Sequence, residues 1–292
     1  MGIAQHGGNR EWNAKVFEPG NISTEAVEFS PSFSSSGSEI YFAKSNDMWG
    51  KGAIKSSIYY STKKDNKWST PKLVSFSGTY DDSDPHLTRD GKTMYFVSDR
   101  PSEASRMSAD IWMVKKDKGG KWGIPTRLKH PINSPGTEYS PRTDNKGNLY
   151  FASDRSDGYG QGDLYMAKRE KGKFASPVNL GNSINTAKGE WNLEVNGSGD
   201  LIIFEASERV QNLSSYGDLY ISFKRHNRWT VPQHIKEINT TGSDLYPHLT
   251  DGERMLYFTS SDRLKSTDTT IYFIAFTPLY DRYKKTAVLP GK

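Results

Sequence analysis

The sequence predicts an all-β fold, a five-bladed β-propeller built from four-stranded antiparallel blades. Two observations carry this expectation. One phrase recurs five times: an acid, a proline three positions later, a turn, then an aromatic pair. It stands as EFSPSFSSSGSEIYF (Glu28 to Phe42), DSDPHLTRDGKTMYF (Asp82 to Phe96) and EYSPRTDNKGNLYF (Glu138 to Phe151), and again as EWNLEVNGSGDLIIF (Glu190 to Phe204) and DLYPHLTDGERMLYF (Asp244 to Phe258). Its prolines, with Leu193 in the fourth copy, fall at Pro31, Pro85, Pro141 and Pro247, a period of about 54 residues that fits blades stacked around an axis. The second observation is compositional. Tyr 16, Phe 13 and Trp 7, beside Gly 26 and Pro 14, suit many short strands joined by tight turns.

The second repeat shows how one blade is read. Asp82 to Thr88 is the first strand. Arg89-Asp90-Gly91-Lys92 turns the chain, with Gly91 free to take a positive φ. Thr93 to Ser98 is the second strand, ended by Asp99-Arg100, and a polar loop follows over Pro101 to Ala109. Asp110 to Val114 is the third strand. Trp122 to Leu128 is the outer strand, where Pro125 is tolerated because an edge needs fewer ladder donors. Third strands recur at Ile58-Tyr59, Leu164-Tyr165, Leu219-Tyr220 and Ile271-Tyr272. Outer strands are marked by Trp68-x-x-Pro71, Phe174-x-x-Pro177 and Trp229-x-x-Pro232, with the aromatic packing between blades.

The fifth copy has no outer-strand marker after Tyr272. The marker stands before the first copy, at Trp12, so Glu11 to Glu18 is expected to complete the last blade and close the ring. One domain is therefore expected over residues 11–276. The tail, 277–292, is left either packed on a rim or disordered.

The chain excludes several classes. Without cysteine it has no disulfide and no thiol nucleophile. No stretch reaches the roughly 18 apolar residues of a membrane helix. The net charge of +5 is spread over turn tips and accompanied by no recognition module, so nucleic acid is not an expected partner. The opening MGIAQHGGNR has no apolar signal core and reads as the remnant of an export signal or as a plain start.

The repeats resemble the WD40-like propeller repeats of the TolB type, the PD40 family. The resemblance rests on acid-x-x-Pro, Asp/Ser-Gly, then Tyr95-Phe96-Val97-Ser98-Asp99-Arg100 and Tyr150-Phe151-Ala152-Ser153-Asp154-Arg155, then Asp-Ile/Leu-Tyr/Trp. It is looser at Phe204 to Arg209 and Tyr257 to Arg263, and departs most at Tyr41 to Asn46. It spans about residues 11 to 276, and the repeat length is similar to copies found beside OmpA-type domains. The resemblance implies a periplasmic or envelope-associated interaction module with no catalytic motif to carry across.

Function is expected where inner strands line the channel. The repeated acids Glu28, Asp82, Glu138, Glu190 and Asp244 form a ring that would either tie blades together or hold a cation, and oxygen ligands would favour Ca2+ or Mg2+. No cofactor is required by the sequence. Positions where repeats differ are Ser32, His86, Arg142, Glu194 and His248, and two places back Ser30, Asp84, Ser140, Asn192 and Tyr246. His86, Arg142, Glu194, His248 and Tyr246, with Trp49 on a rim loop, are expected to meet a ligand at one mouth. The main expectation is a monomeric, non-catalytic propeller binding a protein, peptide or glycan. The alternative is a glycoside hydrolase or polysaccharide lyase using Asp84, Glu190 and Glu194.

Overall fold

The computed structural model describes residues 14–45, 55–101, 109–250, 252–261 and 269–291. Each repeat forms one antiparallel sheet, and the inner strands touch in cyclic order to close a ring of five. The inner strands are Val27–Phe33, Asp82–Leu87, Glu138–Thr143, Glu190–Val195 and Asp244–Leu249. The strands that follow, Glu39–Ser45, Thr93–Ser98, Leu149–Ser153, Leu201–Ala206 and Met255–Ser261, carry the aromatic pair, which in the fourth copy is Ile203-Phe204. Third strands are Ser56–Lys64, Asp110–Lys115, Asp163–Ala167, Asp218–Arg225 and Thr269–Ala275.

The ring closes as the repeats imply. Lys15–Val16 pairs with the third strand of the last blade, Lys15 opposite Phe273 and Val16 opposite Tyr272. Phe17 follows into the seam, where its ring meets Phe33 at 5.6 Å and Tyr257 at 5.2 Å edge-on.

The outer strands differ from the expected span. The ladder is held by only two residues per blade, such as Thr126–Arg127 or Lys72–Leu73, after the proline. The preceding aromatic lies upstream of the proline, as Trp68 does opposite Lys63 in a hairpin that extends the third strand. Proline has no N–H to give the ladder, so the chain leaves it there and rejoins beyond.

The core lies between blades. Phe42, Phe96, Phe151, Phe204 and Phe258 are all fully buried, each worth roughly 1.5–3 kcal/mol relative to exposure. Between the outer and next inner strand, Asn133, Asn185 and Asn239 lie flat against third strands. Each side-chain amide both donates to and accepts from the backbone of one residue, Ile111, Leu164 or Leu219. The tail forms a helix, Thr277–Thr286, whose Leu279 and Tyr283 join the core of blades four and five.

Candidate active site

The five repeated acids are fully buried, and each is turned into an inter-blade brace. Asp82 accepts from Ser77, Ser98 and Arg100, and Glu138 from Ser134, Ser153 and Arg155. Glu190 accepts from the Thr186 amide and hydroxyl and from Arg209. Asp244 accepts from the Thr240 amide and the Ser260 hydroxyl. In the first blade Lys44 stands opposite Glu28, where the second blade has Ser98, and supplies the cation at 3.3 Å. The arginines lie over facing aromatics of the second and third strands: Arg155 is 5.1 Å from the Phe151 ring and 4.8 Å from Tyr165. Among the described residues no three His, Asp or Glu side chains gather as a metal site. Of the two roles expected for these acids, tying blades together or holding a cation, the contacts here are those of ties: the carboxylates meet amides, hydroxyls, guanidinium groups and, at Glu28, the Lys44 ammonium.

Every inner strand breaks register just after its acid, between Ser83 and His86 in the second blade for example. At the break Ser30, Asp84, Ser140 and Tyr246 adopt left-handed backbone, with φ 51, 51, 48 and 49°. All four precede proline, which excludes the right-handed helical region for the residue before it. Asn192, before Leu193, is not left-handed. The bulge separates the side chains beyond it from the buried acid and sends them to two opposite mouths.

At one mouth the variable positions form a pinwheel. Ser32 accepts from the Leu87 amide at 3.0 Å, and His86 Nε2 accepts from the Thr143 amide at 3.0 Å. Arg142 Nε donates to Glu194 at 3.2 Å, and the same Glu194 oxygen takes His248 Nδ1 at 3.1 Å. His248 Nε2 accepts from the Phe33 amide at 3.2 Å, which closes the circuit. Because Nε2 accepts from an N–H in both histidines, each neutral ring carries its proton on Nδ1. Burial, with Arg142 nearby, holds the His86 pKa well below the usual imidazole range. The turns joining first and second strands surround a polar pocket of about 370 Å³ over this layer.

The opposite mouth holds a pocket of about 510 Å³. Phe29, Tyr139, Trp191, Tyr216, Leu245 and Tyr246 wall it, and Asp84, Asn192 and Glu205 meet in it. Trp191 is fixed between blades. Its Nε1 donates to Ser207 at 3.1 Å, Tyr139 meets it edge-on at 5.7 Å, and Gly162 and Gly189 lie against its ring. A Cβ at Gly162 would stand 2.4 Å from the indole.

Asp81 also lines this pocket, half-buried, and the two buried carboxyls, Asp84 and Glu205, have unlike surroundings. Asp84 Oδ2 accepts from the Ser140 amide at 3.1 Å, while Oδ1 has no hydrogen-bond partner in the chain. Burial raises its pKa, and the Arg142 charge opposes the rise. Glu205 accepts from Asn192 but has no cation at hand. Burial pushes its carboxyl up to about 8, and the Asp84 charge adds to the rise.

The expected residues are thus divided. Tyr246 and Asp84 reach the aromatic pocket. His86, Glu194 and His248 face the other mouth, and Arg142 is buried beneath it. Glu190 is held in a brace and Glu194 in an ion pair, and neither lines the pocket that holds Asp84. Trp49 lies outside the described residues. Glu205 was not anticipated, although its signal was present: it follows Phe204 where the other repeats have Ala43, Val97, Ala152 and Thr259.

No protein-family model and no curated protein matches this sequence. Solved structures do match in fold. The alpha-L-arabinofuranosidase of Podospora anserina, in complex with cellotriose, superposes with a TM-score of 0.55 at 11% identity, covering 88% of this chain and 95% of that one. An endo-arabinanase of glycoside hydrolase family 43 from Bacillus licheniformis gives 0.54 at 10%, covering 87% and 95%. A protein assigned as TolB from Agrobacterium tumefaciens gives 0.54 at 14%, covering 86% and 78%. At these identities the likeness is one of fold, a five-bladed propeller common to binding proteins and enzymes. The expectation of a non-catalytic scaffold is corrected here. It rested on one repeated acid with no other carboxyl set apart, and Asp84 and Glu205 are two further buried carboxyls lining one pocket, on a fold that this chain shares with an arabinofuranosidase and an endo-arabinanase.

Proposed function

We propose that the chain is a carbohydrate-active enzyme of the glycoside hydrolase type, with its reaction centre in the aromatic pocket between Asp84 and Glu205. One observation carries the reading: two buried carboxyls line one pocket, one whose charge is partly offset by Arg142 and one with no cation to offset it. Such a pair divides acid and base roles. Glu205 gives its proton to the glycosidic oxygen as the carbon–oxygen bond breaks. A water oxygen bonds to the anomeric carbon, and Asp84, through Oδ1, takes the proton that water loses. The products carry one new hydroxyl each, and the two carboxyls exchange their protonation states. Aromatic walls suit the apolar faces of sugar rings. Among the described lining residues none is Lys, Arg or His, which favours hydrolysis over elimination from a uronate, where a cation must meet the sugar carboxylate.

The test is turnover of arabinan, xylan and aryl glycosides, with sugar release followed by chromatography. Loss in both Glu205→Gln and Asp84→Asn, with cooperative melting retained, is the expected result. Turnover that survives both substitutions removes these roles. Within the same proposal, the repeat signature and the TolB likeness support membership of the WD40-like repeat family and an envelope address, which fractionation of the source cells tests.

A further inference from the structure

The pocket does not end at Trp191 and Tyr216. Two loops rise beside it, and they are built alike. In blade three the Asp163 carboxylate grips the amides of Tyr159, at 2.6 Å, and Gly160, at 3.1 Å. In blade four Asp218 grips the amides of Leu213, at 2.7 Å, and Ser214, at 3.2 Å. The first loop is also tied to its neighbour, since the Gln161 amide donates to the Lys188 carbonyl at 2.9 Å. It packs so closely there that a Cβ on Gly160 would fall 2.1 Å from that carbonyl oxygen. Each of these fixed loops presents a tyrosine to solvent: Tyr159 is 56% exposed and Tyr216 is 63% exposed. Tyr216 lines the pocket itself, and the Tyr159 loop runs on through Gly162, which lies against the Trp191 ring.

An exposed aromatic ring on a rigid loop costs little ordering entropy when it binds. Resting on the glycosidase reading above, we infer that Tyr159 and Tyr216 are outlying sugar platforms, so that the ligand is a chain of uncharged sugar units crossing blades three and four rather than a single sugar. Trp191 and Tyr216 line the pocket and Tyr159 stands on the loop that runs on to the Trp191 ring, and the described residues of the pocket add carboxylates but no cation.

The experiment uses the full chain carrying Glu205→Gln, so that binding is read without cleavage. Calorimetry is run against arabino-, xylo- and cello-oligosaccharides from disaccharide to hexasaccharide. Affinity is expected to rise with length in at least one series. Tyr159→Ala and Tyr216→Ala should each weaken the hexasaccharide by roughly three- to tenfold, the worth of one aromatic contact, and Tyr159→Ala should leave the disaccharide little changed. Tyr216→Phe should keep the affinity, because the ring face is retained. Length-independent binding, alanine variants that bind like the parent, or no binding in any series overturns the inference. Turnover of aryl glycosides by the unsubstituted protein separates the two readings. Turnover with length-independent binding removes the platforms and leaves the acid pair. Chain binding without turnover removes the acid pair and leaves the platforms.

Discussion

His248 accepts a hydrogen bond from the Phe33 amide at 3.2 Å, across the seam between the last blade and the first. His86, in the same Pro-His-Leu-Thr phrase, does the same to Thr143 one blade on. The shared phrase therefore encodes a joint rather than a pair of reactive imidazoles. The joint requires an unprotonated Nε2, which ties the integrity of the ring to pH.

Stability should fall on acidification through His86. Its folded pKa is lowered well below 6.5, so from about pH 6.5 downward the unfolded chain binds a proton that the folded chain refuses. The contribution is complete above the unfolded pKa and is lost as pH falls. His86→Gln should therefore flatten the slope of unfolding free energy between about pH 6.5 and 5 relative to the parent. Urea titrations across that range measure it, and parallel slopes would place His86 outside the pH response.

Glu205 acts in the opposite direction. Its folded pKa of about 8 lies above the unfolded value, so its protonated form stabilises below about pH 4.5 and that contribution is lost as pH rises to 8. Glu205→Gln should be near neutral at pH 5 and more stable than the parent at pH 8, by roughly 2–4 kcal/mol. In the parent, kcat/KM should fall above about pH 8 as the acid loses its proton. A gain in stability that is equal at both pH values would contradict the raised pKa.

Gly162 should tolerate no side chain. Gly162→Ala places a methyl group against the Trp191 indole and should cost about 1–3 kcal/mol, with a change in tryptophan fluorescence. Gly37→Ala is the useful contrast for space, since nothing lies within 4 Å of its Cβ, although its φ of 68° adds strain. Equal indole spectra in both variants would show that Trp191 is not held by the glycine.

Closure should depend on Phe17. Deleting Met1 to Glu18 removes the ladder at Lys15–Val16 and the ring packed among Phe33, Trp68, Tyr257 and Phe273, and should abolish cooperative melting. Phe17→Ala alone should cost about 3–5 kcal/mol. A truncated protein that melts like the parent would refute this closure.

Calcium should leave the melting temperature unchanged. Glu28, Asp82, Glu138, Glu190 and Asp244 each already hold protein donors, and a cation would have to displace them. Scans with calcium and with chelator measure this, and a rise in calcium would show a ligand set that these contacts do not suggest.

Much of the fold was legible because it is written five times. Acid, turn glycine and aromatic pair each recur in register, and an architectural role repeats by necessity. Ile132-Asn133, Ile184-Asn185 and Ile238-Asn239 form a further recurrence that packs between blades, and it is as plain in the sequence once the third strands are known. The site was harder to read for two reasons. The bulge before proline cancels simple strand parity, so Asp84 and Glu194 looked like neighbours although they serve opposite mouths. Glu205 sits on a second strand, where an inner-strand search does not look. What marked it was its departure from Ala43, Val97, Ala152 and Thr259, a difference visible only when copies are laid side by side.

The ladder at Lys15–Val16 makes the last blade a composite of both ends of the chain. Its geometry is otherwise that of its four neighbours, so the location of the chain break is a matter of phase. Circular permutation that joins the present ends and reopens the chain in another outer connection would move the composite blade around the ring. Asp84 and Glu205, in blades two and four, would go on lining one pocket throughout, which would be indifferent to where the ring is opened.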